Sequence, residues 1–277
     1  MLKRFAALLL FPLLMLLPLA ATAESSLAEE TQIIEIEESV LLTDDGEEII
    51  LEPETVVEPE VVNEAREDLI DRIIALGEEL YEKAGGKAQR AHYASDIYVC
   101  KNFTTYLFRK CRDDFRMAEY PNVTLVVPDN MPARQCKPYS YGLMWKDVPA
   151  SEGNAFYAAA EFRYDTSLTY DENLALAEDF MREAKRGDYF QMSAEYEYGT
   201  GAHSAIIIAD WDPETDTIHW MDSNMRGKKV NGIRYGIVQF NEEKPVSWWA
   251  ACFCKKTRGA TLYRLRDDIV YASEVAN

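Results

Sequence analysis

Positive charge is scarce in this sequence. Only 29 of its 277 residues are Lys or Arg, against 48 Asp or Glu, and the formal net charge is -19. Nucleic acids are bound largely through Lys and Arg, so this balance argues against a nucleic-acid partner. Glycine (13 residues) and proline (11 residues) are too few for a collagen-like chain. The composition is that of a globular protein with one domain of about 200 residues plus appendages.

Long hydrophobic runs are lacking outside the first 23 residues. Those residues begin with Lys3 and Arg4, continue through an apolar run at 5–19, and end in Ala-Thr-Ala. The run contains two prolines and is shorter than the roughly 20 residues that span a membrane. The pattern predicts a secretory signal peptide over residues 1–23, with an uncleaved membrane anchor as the alternative. We therefore expect a secreted or cell-envelope protein with no stable membrane span after cleavage.

Basic residues are absent from residues 24–64, which contain 15 acidic residues. This bias predicts an extended, mostly disordered acidic leader over residues 24–66. The leader could be a propeptide that covers a basic groove, a spacer from a cell surface, or a solubilising tail. After Arg66 there are 33 acidic and 26 basic residues, so the predicted domain at 67–277 has a net charge of only about -7.

The pattern of apolar residues predicts an α+β domain. Helices are expected at 63–84, from Ser95 or Asp96 through Cys111, and at 171–185. Strands are expected at 123–127, 189–194, 203–211, 217–222, 233–240, 247–253 and 261–265. Helices followed by a series of strands indicate an antiparallel sheet that carries helices on one side.

Cysteine is uncommon, and its number is odd. The five residues are Cys100, Cys111, Cys136, Cys252 and Cys254. In an exported protein paired thiols persist as disulfides, so two bridges would leave one thiol for another purpose. Cys100 lies in the first turn of a predicted helix, where the free N–H groups favour a thiolate. The pairing of the other four cysteines stays open.

Only three histidines are available as a base for this thiol: His92, His203 and His219. His203 follows a Gly-Thr-Gly-Ala segment and opens a predicted strand, so its ring can project beside a cleft. His219 lies in the middle of the next predicted strand. His203 is therefore the preferred base.

A third group must hold the imidazole in the useful tautomer. A hairpin that turns at 212–215 would bring Asp222 or Asn224 back beside His203, and the choice between them stays open. The oxyanion of an acyl-transfer intermediate would accept a hydrogen bond from the backbone N–H of Cys100. Its second donor could be Gln89, Tyr93 or Tyr98.

Four segments carry a resemblance to a known family. They are residues 98–103 (Tyr-Val-Cys-Lys-Asn-Phe), 187–190 (Gly-Asp-Tyr-Phe), 201–207 (Gly-Ala-His-Ser-Ala-Ile-Ile) and 222–227 (Asp-Ser-Asn-Met-Arg-Gly). In this order they resemble the CHAP-type amidohydrolase and peptidase domains, relatives of the NlpC-type and papain-like cysteine hydrolases. The resemblance covers roughly residues 68–265 and is specific only at these segments.

The resemblance implies a papain-like α+β fold and hydrolysis of an amide bond, typically in peptidoglycan. It assigns Cys100 as nucleophile, His203 as general base and then acid, and Asp222 or Asn224 as the orienting group. This chemistry needs no cofactor and no metal. The expected partner is a peptide or peptidoglycan substrate, and the oligomeric state stays open. The alternatives are a non-catalytic binding module on the same fold and a transglutaminase-like acyl transferase.

Overall fold

The computed structural model describes residues 40–42, 48–50, 63–84, 89–91, 98–128, 145–194, 203–225, 231, 234–256 and 258–275. The chain divides into two compact units, Met1–Pro59 and Glu60–Asn277. The first contains an antiparallel pair of short strands, β1 (Val40–Leu42) and β2 (Glu48–Ile50), within the acidic leader. The predicted signal peptide lies outside the described residues.

The second unit is an α+β domain with four described α-helices. They are α1 (Glu64–Ala84), α2 (Cys100–Cys111), α3 (Tyr170–Arg182) and α4 (Val246–Phe253). The helix predicted at 63–84 is confirmed, and the third helix is confirmed with an earlier end. Thr169 starts α3 because its hydroxyl accepts from the backbone N–H of Glu172, whose side chain accepts from the backbone of Thr169 in return. No helix in the described part of the chain is long and apolar enough to cross a membrane.

The strands form one large sheet and one small one. They are β3 (Gln89–Ala91), β4 (Phe115–Met117), β5 (Phe156–Arg163), β6 (Tyr189–Ala194), β7 (His203–Ile207), β8 (Thr217–Met225), β9 (Arg234–Pro245), β10 (Arg258–Leu265) and β11 (Ile269–Tyr271). Seven of them pair in the order β3-β9-β8-β7-β6-β10-β5, and every pair is antiparallel. Strands β4 and β11 form a separate antiparallel pair.

Helices cover both faces of the large sheet, which corrects the expectation of helices on one side. Ile206 packs with α1 and α2 in one core cluster, whereas its neighbours Ala205 and Ile207 pack with α3 and α4 in the other. Consecutive residues of a strand point to opposite faces, so a central strand that is buried on both reads as a continuous apolar run. All three of these residues are fully buried.

Helix α2 is fixed to the sheet by its apolar side. Phe103, Leu107 and Phe108 are all fully buried. Truncating one of these phenylalanines to alanine should cost about 3–5 kcal/mol of stability. Because α2 packs on β7 and β8, its position determines where its first residue, Cys100, lies.

Two strand predictions were wrong in type, and four were wrong in extent: β7 is shorter than expected, and β8, β9 and β10 are longer. Residues 247–253 form helix α4, in which Val246, Trp249, Ala250 and Phe253 are buried at helical spacing. Cys252, Trp248 and Trp249 therefore lie in a helix, and Cys254 follows it. Residues 123–127 form no strand, only an isolated bridge. The β7 strand ends at Ile207, four residues earlier than expected.

Candidate active site

Cys100 is the first residue of α2. Val99 precedes it in an extended conformation and provides no side-chain cap, and the first turn has no acidic residue. The N-terminal end of a helix leaves backbone N–H groups available and carries partial positive charge, which stabilises an anion. Cys100 is a half-buried free thiol. The helix expected from Ser95 or Asp96 therefore begins later, at Cys100, because Tyr98 and Val99 are not helical; Ser95 and Asp96 themselves lie outside the described residues.

The pKa of Cys100 lies below the ordinary thiol value. Burial is the largest single effect and raises it, but contacts that favour the thiolate together outweigh burial. The first is a hydrogen bond to His203, reinforced by that ring's charge. The others are hydrogen bonds from the backbone N–H groups of Ser204 and Lys101. A thiolate is the nucleophilic form of cysteine, so this surrounding activates the residue.

His203 is the first residue of β7, and its ring contacts two groups of opposite role. Its Nε2 lies 2.8 Å from Oδ2 of Asp222, with side-chain exposures of 12% and 5%. The same ring is hydrogen-bonded to the Cys100 thiol. An ionised carboxylate can only accept hydrogen bonds, so Nε2 of His203 is the donor to Asp222. The other ring nitrogen, Nδ1, is then the atom that bonds to the Cys100 thiol.

The pKa of His203 is raised to about 10. Burial alone would lower it, because burial disfavours the imidazolium. Hydrogen bonds and charge interactions with Asp222 and Cys100 overcome that cost. With the pKa of the thiol lowered and that of the imidazole raised, these contacts favour a thiolate–imidazolium pair.

Asp222 and Asn224, between which the sequence could not choose, occupy different sides of the ring. Asp222 holds Nε2, while Nδ2 of Asn224 lies 3.5 Å from Nδ1. The carboxylate has the shorter, charged contact, so Asp222 is the residue placed to orient the imidazole. Its Oδ1 is buried without a hydrogen-bond partner in the described residues.

Strand pairing explains how residues distant in sequence meet. Ile206 pairs with Met221 in the antiparallel β7–β8 hairpin, which brings the start of β7 to the later part of β8. The hairpin turns through Asp212, whose carboxylate accepts from the backbone N–H of Glu214 and from the Thr215 hydroxyl. The predicted hairpin at this place is therefore confirmed.

The other two histidines do not join this group in the described part of the chain. His219, on β8, places its Nδ1 2.9 Å from Oδ1 of Asn241 in an exposed contact. His92 lies outside the described residues, as do Tyr93 and Cys136. Gln89 lies on β3, paired with Gly236 of β9.

Two supporting contacts are not visible from sequence patterns. Ser204, whose N–H faces the thiol, donates its hydroxyl hydrogen to Oε1 of Gln191 over 2.6 Å in a buried contact. A Cβ atom at Gly236 would lie 2.3 Å from the carbonyl oxygen of Tyr98. The segment that leads into Cys100 therefore rests directly on the β9 backbone, where only glycine fits.

The remaining described cysteines are free thiols: Cys111, Cys252 and Cys254. Cys111 packs against the core on the α1/α2 face, whereas Cys252 and Cys254 belong to the core on the opposite face. A bridge from Cys111 to either of them, one of the options left open by the sequence, does not form. Burial raises the pKa of Cys111 to about 11, so this thiol is a poor nucleophile.

The acidic turn at 210–216 is used structurally. Asp212 closes the turn, and Asp216 accepts from Arg182 and from the indole N–H of Trp211. No group of three or more His, Cys, Asp or Glu residues within the described ranges could hold a metal ion.

Comparison of the chain with family models, with curated proteins and with solved structures finds no match.

Proposed function

We propose that this protein is a cysteine hydrolase that cleaves peptide or amide bonds. Cys100 is the nucleophile, His203 the general base and then acid, and Asp222 the residue that orients His203. The observation that carries the proposal is the continuous set of contacts from the Cys100 thiol through the imidazole to a buried carboxylate. Together with the N-terminal position of Cys100 on α2, these contacts meet the requirements of an activated nucleophile.

The proposed reaction starts from a thiolate on Cys100 and a proton on Nδ1 of His203. The Cys100 thiolate attacks the carbonyl carbon, and the π electrons of the C=O bond move onto oxygen. When the C–N bond breaks, the leaving amine takes the proton from Nδ1 of His203 and the acyl group stays on sulfur as a thioester. Water then attacks while Nδ1 accepts its proton, the C–S bond breaks, and the thiolate–imidazolium pair is restored.

The substrate class rests on the sequence resemblance. The order of the cysteine, Gly-Asp, histidine and Asp-x-Asn segments is similar to CHAP-type domains, which supports a papain-like hydrolase acting on cell-wall peptide. The antiparallel sheet with a helix that begins at the nucleophile is compatible with that fold. The predicted signal peptide supports export to the compartment where such peptide occurs.

The direct test is digestion of purified peptidoglycan, with released amino groups counted and fragments identified by mass spectrometry. The wild type and Cys111→Ala should release amines, because Cys111 lies at the far end of α2 from the site. Cys100→Ala should release none and should keep its fold, measured by circular dichroism. Turnover that survives in Cys100→Ala would remove the mechanism.

The same experiment separates hydrolysis from acyl transfer. Both proceed through the thioester on Cys100 and differ in whether water or an amine resolves it. Incorporation of added cadaverine into the acyl fragment would identify a transglutaminase-like transferase. Retention of peptidoglycan without cleavage, with Cys100 bound in a disulfide, would identify a binding module.

A further inference from the structure

The side-chain amide of Asn224 lies on the thiol side of the His203 ring. Nε2 of the ring is occupied by Asp222 at 2.8 Å, and Nδ2 of Asn224 lies 3.5 Å from Nδ1. The ring has two nitrogens, so its hydrogen bond to the Cys100 thiol uses Nδ1. The Asn224 amide and the reactive sulfur therefore lie on the same side of the ring.

The contact between Asn224 and His203 does little to hold the ring. At 3.5 Å it is at the outer limit of a hydrogen bond, whereas the charged Asp222 contact is short. An asparagine amide has two N–H donors and no charge. Once Nδ1 carries a proton it no longer accepts, so the amide of Asn224 has a donor available when the site is in its reactive form.

We propose that Asn224 is the side-chain donor of an oxyanion hole, acting with backbone N–H groups in the first turn of α2. This inference rests on the proposed function, because it assigns a role within the same reaction. As the thiolate attacks, negative charge develops on the former carbonyl oxygen, which must lie within about one bond length of the new C–S bond. An amide donor on this side of the ring is placed to stabilise that charge.

This role differs from that of Asp222 in a measurable way. Alkylation of Cys100 by iodoacetamide proceeds at a saturated carbon and forms no oxyanion, so it reports only the reactivity of the thiolate. Acylation by p-nitrophenyl acetate passes through a tetrahedral oxyanion and releases p-nitrophenol. The ratio of the two rates isolates stabilisation of the oxyanion from activation of the nucleophile.

The experiment measures both rates on the full chain under single-turnover conditions. We expect Asn224→Ala to lower the acylation rate about 10²–10³-fold relative to alkylation. Asp222→Asn should lower both rates together, because it weakens the thiolate–imidazolium pair. Asn122→Ala, at an exposed turn residue, should change neither rate. Asn224→Asp keeps the side-chain shape without its N–H donors and should also lower the ratio, which covers the case in which Asn224→Ala does not fold.

Three results would overturn the inference, and they are distinguishable. If both rates keep their wild-type values in both Asn224 variants, Asn224 does not contact the oxyanion. A parallel fall of both rates in Asn224→Ala assigns Asn224 to positioning of His203 instead. A wild-type Cys100 that reacts with iodoacetamide no faster than an ordinary thiol removes the proposed function itself.

Discussion

Two histidines on the same β7–β8 hairpin make similar contacts in different surroundings. His203 lies 2.8 Å from an oxygen of Asp222, and His219 lies 2.9 Å from an oxygen of Asn241. The first pair is largely buried and includes a carboxylate, while the second is exposed and includes a neutral amide. Distance alone therefore does not distinguish a reactive histidine from a surface one.

Burial and charge are what separate the two. An ion pair interacts more strongly away from water, so Asp222 can hold a proton on His203 despite the cost of burying the imidazolium. Cys100, when ionised, adds a second anion on the opposite side of the ring. In the contact of His219 with Asn241 the partner is a neutral amide at an exposed position. The following changes test this contrast.

Removal of the His203 ring should have the largest effect. His203→Ala deletes the proposed general base and the imidazole that lowers the pKa of Cys100. We expect turnover to fall about 10²–10⁴-fold. Alkylation of Cys100 at pH 7 should fall about 30-fold, because an ordinary thiol of pKa about 8.5 is only about 3% thiolate there. Rates of both reactions measured beside those of His219→Ala provide the check. Equal losses in the two variants would contradict the distinction between the histidines.

Neutralising the carboxylate should make His203 more like His219. Asp222→Asn replaces the charged partner by an amide of the same shape. We expect about a 10²-fold loss of turnover. The pKa of His203, followed by NMR, should fall, because Asp222 is a principal cause of its elevation. An unchanged pKa would show that another group holds the proton.

Moving the nucleophile without altering either histidine should have a smaller effect. A methyl group at Gly236 meets the backbone of Tyr98, two residues before Cys100. Gly236→Ala should therefore displace the thiol and lower the alkylation rate about tenfold, since small misplacements are costly in catalysis. Gly77→Ala is the matched control, because the added methyl meets the flexible side chain of Met221 instead. If both variants keep the wild-type rate, the Tyr98 contact does not position Cys100.

Stability should depend on pH through the titration of His203. Its raised pKa means that the folded chain keeps a proton that the unfolded chain loses near pH 6.5, a stabilisation that disappears as pH rises through about 10. The lowered pKa of Cys100 has the opposite effect on stability. It offsets the loss from His203 until the pH reaches the ordinary thiol pKa of about 8.5. Because Cys100 without His203 would also ionise late, the comparison is made in the Cys100→Ala background, where no thiol titrates at the site. There the Tm should fall more steeply above about pH 6.5 in the chain that keeps His203 than in the chain that also carries His203→Gln. Parallel curves would argue against a raised pKa.

The smallest effect is expected at the exposed histidine. His219→Ala removes only a contact at the surface, so stability should change by less than about 0.5 kcal/mol. Turnover should equal that of the wild type. Urea unfolding and the peptidoglycan assay measure the two quantities, and a large loss in either would give His219 a role that its exposed contact does not suggest.

Local patterns in the sequence were sufficient for much of the fold. The helical spacing of α1, the strand β6 and the β7–β8 hairpin follow from period and turn residues. The positions of Cys100 at a helix start and His203 at a strand start follow from the same patterns. The elements that carry Cys100 and His203 could therefore be predicted from the sequence.

Features that depend on tertiary contacts were missed. The eight-residue segment of α4 is apolar except for Ser247, and so short a run fits either a strand or a buried helix. Strand β5 contains three consecutive alanines, which have low strand propensity, and is ordered by pairing with β10. The contact of Gly236 with Tyr98 joins segments more than a hundred residues apart, so no local pattern contains it.

The central claim is that His203 keeps Cys100 as a thiolate near neutral pH. The most direct measurement is the rate of iodoacetamide labelling of each cysteine against pH in the full chain, mapped by mass spectrometry. We predict that Cys100 reacts first and titrates below the ordinary thiol pKa of about 8.5, and that His203→Ala abolishes this behaviour. Labelling of Cys100 with the titration of an ordinary thiol, or after Cys111, would contradict the account.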